Sequence, residues 1–300
     1  MKIKGLITAM VTPLDENGIN EAATCRLVNR LIEKGVDGLF ILGTNGEFYA
    51  LSKEEKEKLV ALVVKEARGR VPVFAGSGGI STAEVIANSN RFAELGIDAV
   101  SIITPFLVAL SDRELINHYE QIAHALSLPI ILYNIPANTG NNISENVYQK
   151  LLEIPSIIAI KDSSGDLQQL KAYIENNYRD DFAVLVGSDS KILAGLQLGA
   201  DGAVAATSNV LTRTDVGIYN SFMNNELEKA LKLQNSIEDF RRLLKLSTVP
   251  SVLKYSMNLI GYQVGSPKLP VLPPPAEFHD EIKKILNTYK AVEKLEFTKE

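Results

Sequence analysis

A chain of 300 residues, 46% hydrophobic and 22% charged, is long enough to bury a sizeable core and needs neither disulfides nor a structural metal to fold. Its net charge of −5, with no basic block, argues against nucleic acid as a partner, and its one cysteine, Cys25, cannot pair within the chain, which points to a reducing, cytoplasmic setting. Pro13 and Asp15 cut off an N-terminal apolar run that could pass for a signal peptide, and no run approaches the roughly 18 apolar residues of a membrane span.

From there the chain alternates between short apolar, β-branched runs and longer stretches with helical spacing. The runs are GLITAMV (5–11), GLFIL (38–42), VPVFAG (71–76), DAVSIIT (98–104), PIILYN (129–134), IIAIKD (157–162), FAVLVG (182–187) and DGAVAAT (201–207). After the second run, SKEEKEKLVALVVKEA (52–67) carries Leu59, Leu62 and Val63 at three- and four-residue steps, with Ser52 as N-cap and Glu55 completing a capping box. Ser81, Ser111 and Ser144 open later helices in the same way, with Glu84, Glu114 and Val147 three residues on.

Runs that are apolar throughout, rather than alternating, are buried on both faces, and helices between them make the sheet parallel. Eight such units predict an α/β fold, a closed (β/α)8 TIM barrel over 1–224 that carries the active site. The rival, an open doubly wound sheet, wants G-x-G-x-x-G after its first strand. None is present there, and Gly76-Ser77-Gly78-Gly79, after the third run, has the wrong spacing. Beyond residue 224 the strand signal stops. Residues 225–246 and 249–261 predict helices, the second with Pro250 in its first turn and Gly261 as its stop, and a proline-rich link leads to a last helix near 278–295. The expectation is a C-terminal three-helix appendage over 225–300.

In such a barrel the chemistry gathers where strands end and helices begin. The second run ends in Gly43-Thr44-Asn45-Gly46-Glu47, the fourth in Thr104-Pro105, the fifth in Tyr133-Asn134, and the sixth in Lys161-Asp162. The seventh ends in Gly187-Ser188-Asp189 and the eighth in Thr207. A lysine at the rim of an apolar strand is desolvated, and a neutral amine can attack a ketone to form a Schiff base. Tyr133, on the neighbouring strand, is placed to shuttle the proton. The alternative is a structural Lys161 that snorkels to the rim and pairs with Asp162. The Gly43–Gly46 turn offers backbone amides and a hydroxyl to a carboxylate or phosphate, or is simply a strand-to-helix turn. No H-E-x-x-H or C-x-x-C occurs, so no metal site is expected.

Taken together, G-T-N-G-E, Y-N-I-P and the K-D closing the sixth run resemble the dihydrodipicolinate synthase/N-acetylneuraminate lyase family of class I aldolases, in order and spacing over nearly the whole chain. The resemblance implies pyruvate or another 2-oxo acid held as an imine on Lys161, with no separate cofactor. It implies proton transfer by Tyr133 and Thr44, and a substrate carboxylate held by Gly43, Asn45 and Gly46. It further implies a homotetramer, a dimer of dimers, with a small-molecule substrate. Three departures bear on the second substrate. Asn45 stands where the family usually has a second hydroxyl. Leu107 lies where many members carry a relay tyrosine. Asn138 lies where dihydrodipicolinate synthases have an arginine. Asparagine cannot make arginine's bidentate charged contact.

Asn138, Ser188, Asp189 and Thr207 suit a hydroxylated chain, and Gly187 is a further substrate-binding candidate. The first expectation is therefore cleavage of a 2-oxo-3-deoxy sugar acid to pyruvate and an aldehyde. The alternative is a synthase condensing pyruvate with aspartate semialdehyde. A deoxy-oxo-sugar acid dehydratase and a non-catalytic sensor of such acids are further alternatives.

Overall fold

The structure, a computed structural model, describes residues 2–297. Eight parallel strands close into a barrel in chain order. They are β1 (Gly5–Ala9), β2 (Gly38–Ile41), β3 (Val73–Gly76), β4 (Ala99–Ile103), β5 (Ile130–Asn134), β6 (Ile157–Asp162), β7 (Ala183–Val186) and β8 (Gly202–Ala205). All their residues are buried except the half-buried Gly76 and Ile158. That is why the runs show no in–out alternation: one face meets the barrel interior and the other meets helices.

The helices that follow the strands are α1 (Glu21–Glu33), α2 (Lys53–Ala67), α3 (Thr82–Glu94), α4 (Asp112–Ala125), α5 (Glu145–Leu152), α6 (Leu167–Glu175), α7 (Ile192–Leu198) and α8 (Thr212–Met223). The serines open them as expected. Ser52 and Glu55 form a reciprocal capping box, and Ser81 and Ser144 accept from the N–H groups of Glu84 and Val147. At α4 the Glu114 carboxylate takes the Ser111 N–H at 2.8 Å. A small hairpin, Leu14–Asp15 against Gly18–Ile19, lies between β1 and α1.

The chain divides into two compact units. One comprises the residues through Gly5 with Phe74–Val204, and so holds most of β3, β4 to β7, and helices α3 to α7. The other comprises Leu6–Val73 and the chain from Ala205 onward. It holds α1, α2, β2, α8 and the C-terminal helices α9 (Leu227–Ser236), α10 (Glu238–Leu244), α11 (Ser251–Leu259), α12 (His279–Thr288) and α13 (Lys290–Glu293).

The C-terminal helices are more broken than the sequence suggests. The stretch 225–246, expected as one helix, splits at Ile237. There the Tyr289 hydroxyl donates to the Ser236 carbonyl, and the Ser236 hydroxyl donates to Leu233 O at 2.7 Å. Both bonds draw on groups that a continuous helix would leave to its own ladder. The expected helix near 278–295 likewise breaks at Tyr289. As a domain organisation we propose a barrel over 1–224 and a helical appendage over 225–300, because the last barrel helix ends at Met223.

Candidate active site

In the first unit, β5 and β6 pair in parallel with Tyr133 opposite Lys161 and Asn134 opposite Asp162. Side chains alternate along a strand, so each dipeptide sends one residue to each face. Asp162 and Asn134 face the helices. The Asp162 carboxylate accepts from Asn134 Nδ2 at 3.0 Å, Ser164 Oγ at 2.7 Å and Gln169 Nε2, on α6, at 3.2 Å. Asn134 Nδ2 also reaches the Tyr173 hydroxyl of α6 at 3.4 Å, and its Oδ1 accepts from the Ile143 N–H at 2.9 Å. Burial pushes the Asp162 carboxyl above the usual carboxylate range, and the bonds from Ser164, Asn134 and Gln169 work against that rise.

Lys161 and Tyr133 therefore share the opposite face, away from α6. Both are buried, at 4% and 5% exposure. Lys161 Nζ lies 3.9 Å from the centre of the Tyr133 ring. Such an amine is not snorkelling to solvent. It stands against an aromatic wall with a phenol in the same side chain.

Two neighbouring strand ends shape the surroundings. Thr104, after β4, donates its hydroxyl to Thr139 Oγ1 at 2.8 Å and so ties down the single helical turn Pro136–Thr139 that follows β5. Asn138 sits on that turn, exposed, and its side chain takes no hydrogen-bond partner among the described residues. Asn141, which the sequence reading passed over, laces the 105–110 loop. Its Nδ2 donates to Pro105 O and Val108 O, both at 2.7 Å, and its Oδ1 accepts from Leu110 N at 2.8 Å. On that loop Leu107 is 84% exposed with φ +80°, so no phenol and no packed side chain occupies the place.

Gly187 has a steric reason to be glycine. Its N–H donates to Asp162 O at 2.7 Å, and a Cβ there would fall 2.0 Å from Ser163 Oγ. The nearby Asp189 is buried at the start of the short 3-10 turn Asp189–Lys191.

In the second unit, the Gly43–Glu47 turn follows β2. Leu42 and Glu47 flank it with left-handed φ values of 55° and 58°. Gly43 and Gly46 admit no side chain: a Cβ would lie 2.5 Å from Phe40 Cε1 at the first and 2.9 Å from Leu42 N at the second. The Gly46 and Glu47 N–H groups are spent inside the turn, on Gly43 O at 3.0 Å and Thr44 O at 3.2 Å. Thr12 Oγ1 donates to Gly46 O at 2.7 Å. Asn45 is the exception. It is half-buried, and among the described residues neither its N–H nor its side chain is hydrogen-bonded. A turn with spare donors beside a strand end can receive an anion. Thr207 is differently disposed. It is fully buried, with its hydroxyl on Asp215 Oδ2 at 2.6 Å, which ties the end of β8 to α8.

Sequence reasoning missed the buried ion pair behind this turn. Glu47 Oε2 and Lys254 Nζ, of α11, are 2.8 Å apart, both at 0% exposure. Nothing in the local pattern marks it, since the partners are 207 residues apart. Among the described residues, no group of three or more His, Cys, Asp or Glu side chains could hold a metal ion, and no helix is long and apolar enough to cross a membrane.

Known proteins share this arrangement of strands and helices. A model of the dihydrodipicolinate synthetase family matches residues 2–289. The chain is 35% identical over 288 residues to 4-hydroxy-tetrahydrodipicolinate synthase 1 of Halalkalibacterium halodurans, covering 96% of this chain and 97% of that one. It is 33% identical over 270 residues to an uncharacterized DapA-like lyase of Halobacterium salinarum, covering 90% of this chain and 88% of that one. Among solved structures, the chloride-inhibited dihydrodipicolinate synthase of Acinetobacter baumannii complexed with pyruvate matches with a TM-score of 0.92 at 31% identity, covering 95% of this chain and 98% of that one. Fold, full-length likeness and a buried strand-end lysine agree: this chain belongs to the dihydrodipicolinate synthetase family, Schiff-base lyases and aldolases that hold pyruvate as an imine on a lysine and use no separate cofactor.

Proposed function

We propose that Lys161 attacks the carbonyl carbon of pyruvate and, with loss of water, forms the imine. The iminium withdraws electrons, so a proton leaves the methyl carbon and the resulting enamine attacks an aldehyde. Hydrolysis then frees the amine. Tyr133 is the proton carrier, Thr44 is the relay's second member, and Asn45 with the Gly43–Gly46 turn takes the carboxylate. One observation carries this reading: a buried amine 3.9 Å from the Tyr133 ring centre at the end of β6. Reduction with borohydride in the presence of pyruvate should add the mass of a reduced pyruvyl group to the wild type and nothing to Lys161→Ala. A wild type that stays unlabelled removes the reading.

For the second substrate, the relatives' names weigh toward the synthase, and we take condensation with aspartate semialdehyde as the first reading. It predicts pyruvate-dependent consumption of that aldehyde. A second reading, cleavage of a 2-oxo-3-deoxy sugar acid, is favoured by one observation, the exposed amide of Asn138 on the Pro136–Thr139 turn, where a synthase would present a cation. The likeness to a DapA-like lyase fits either reading.

Position 138 is exposed, so a guanidinium there strengthens the hold on an acidic aldehyde by up to about 1 kcal/mol, the usual size for a solvent-screened charge pair. Asn138→Arg should therefore lower the KM for aspartate semialdehyde by up to about fivefold under the first reading. Release of pyruvate from a sugar acid by the wild type, with no consumption of aspartate semialdehyde, decides for the second. Self-association to a tetramer, expected from the resemblance, belongs to the same proposal. The exposed Leu107 and Val108 support a covered surface, and native mass measurement tests it.

A further inference from the structure

Glu47 is an unexpected residue to find fully buried next to a substrate turn. Its two carboxylate oxygens are both spoken for. Oε2 faces Lys254 Nζ at 2.8 Å, and Oε1 accepts the backbone N–H of Lys268 at 2.6 Å. Lys254 Nζ in turn donates to Ser266 O at 2.9 Å. The Gly265–Leu269 segment is thus pinned across the pair, and the Lys268 ammonium closes it by reaching Glu55. All of these groups lie in the second unit.

Burying two charges is costly, and a well-packed apolar pair of the same volume would often be as stable or more so. Burial pulls Lys254 below the usual lysine range, and the Glu47 carboxylate pulls it back. A merely structural account leaves this expense unexplained. The backbone supplies a reason. Glu47 holds a left-handed φ of 58°, as does Leu42 at 55°, and Gly46 lies between them against the Leu42 N–H. A non-glycine residue held in that region persists only where its surroundings over-determine it. Here the surroundings are two hydrogen bonds to one carboxylate and the Thr12 hydroxyl on Gly46 O at 2.7 Å.

We propose that the buried Glu47–Lys254 pair is a positioning device for the carboxylate-binding turn, holding the Asn45 amide presented to the substrate from a helix, α11, that itself contributes no group to the chemistry. The inference rests on the proposed role of the Gly43–Gly46 turn. Glu47 and Lys254 are positioning residues, not catalytic ones. Their loss should weaken capture of the 2-oxo acid carboxylate and leave the lysine's chemistry at saturation nearly intact.

The test is a steady-state and labelling series on the full chain with pyruvate. Lys254→Met leaves a lone buried carboxylate, so the neutral double variant Glu47→Gln/Lys254→Met is made beside it, with Lys254→Arg as the charge-conserving rescue. Both neutralising variants should raise the pyruvate KM at least tenfold while kcat falls less than threefold. Lys254→Arg should recover at least half of that rise. Borohydride labelling at saturating pyruvate should still reach the wild-type mass gain.

Glu293→Gln is the control for lost stability, because Glu293 is equally buried in the same unit but caps α8 far along the chain from the turn. It should lower the thermal midpoint and leave the pyruvate KM unchanged. A folded double variant with wild-type KM overturns the proposal. So does a Glu293→Gln variant whose KM rises as much, or a double variant that cannot fold, since either assigns the pair to the fold alone. A wild type that pyruvate and borohydride fail to label overturns the turn's proposed role instead, and is distinguishable from all of these.

Discussion

At the scale of single residues, the informative positions are those whose surroundings forbid anything else. Gly46 is one: a Cβ would sit 2.9 Å from Leu42 N and 3.2 Å from Gly43 N, both backbone atoms that cannot swing away. Gly46→Ala must therefore open the turn. The expected result is a pyruvate KM at least tenfold higher, read by steady-state kinetics, with imine labelling retained at saturation. An unchanged KM would detach the turn from substrate binding.

His118 is informative through its proton. It is buried on α4, its Nδ1 2.9 Å from Thr82 Oγ1, and burial pushes its pKa down from the ordinary 6.5 to about 4. The unfolded chain then binds a proton that the folded chain refuses. The stability this represents is complete above pH 6.5 and is lost as pH falls toward 4, by up to about 3 kcal/mol. Urea midpoints of His118→Gln should fall less steeply over that window than those of the wild type. Equal slopes would mean that other groups carry the acid limb.

Lys161 was legible in the sequence because it breaks an apolar run at its last turn-ward position, and Tyr133 because its strand ends the same way. Glu47 closes the G-T-N-G-E motif, but its burial was not legible, because the charge that permits it comes from 207 residues away.

At the scale of elements, local chemistry set most boundaries. The strands fall within the expected runs, and helices begin at the expected serines, because caps and apolar runs act over a few residues. The misses arise where a distant group intervenes or a short signal is weak. The 225–246 stretch breaks because Tyr289 takes the Ser236 carbonyl, a contact over 53 residues. The small hairpin, which turns at Glu16-Asn17 into Gly18, left only a weak trace, because its strands are two residues each.

Arg179 acts at this scale too. Its Nη1 donates to the carbonyls of Leu152, Ile154 and Ile157, so one guanidinium satisfies the turn between α5 and β6, just before the strand of Lys161. Arg179→Ala strands those carbonyls and should destabilise the protein by about 2–4 kcal/mol, from the usual cost of lost charged hydrogen bonds. Arg179→Lys should recover little of it, since an ammonium lacks the fork geometry. Urea unfolding of the two variants checks both statements.

At the scale of the whole molecule, the closed barrel was readable from eight uniformly apolar runs, since a parallel sheet buried on both faces leaves that trace. The way the chain's end is fastened was not. Glu293, on the last short helix α13, accepts from the Arg213 and Thr214 N–H groups at 3.0 and 2.8 Å and from the Thr214 hydroxyl at 2.7 Å. It thereby caps α8 from 79 residues downstream. Glu293→Ala leaves buried donors unsatisfied and should cost about 1–3 kcal/mol in denaturant unfolding, with catalysis at 25 °C preserved.

The pairing of Tyr133-Asn134 with Lys161-Asp162 also constrains how this segment can change over descent. Substitutions among the residues before Lys161 leave the alternation intact. A one-residue insertion or deletion inside β6 would exchange the two faces, delivering a carboxylate to the phenol and an amine to the amide network on α6. The strand is free to drift in spelling but not in length, and lineages that keep the chemistry should show it as a block without gaps.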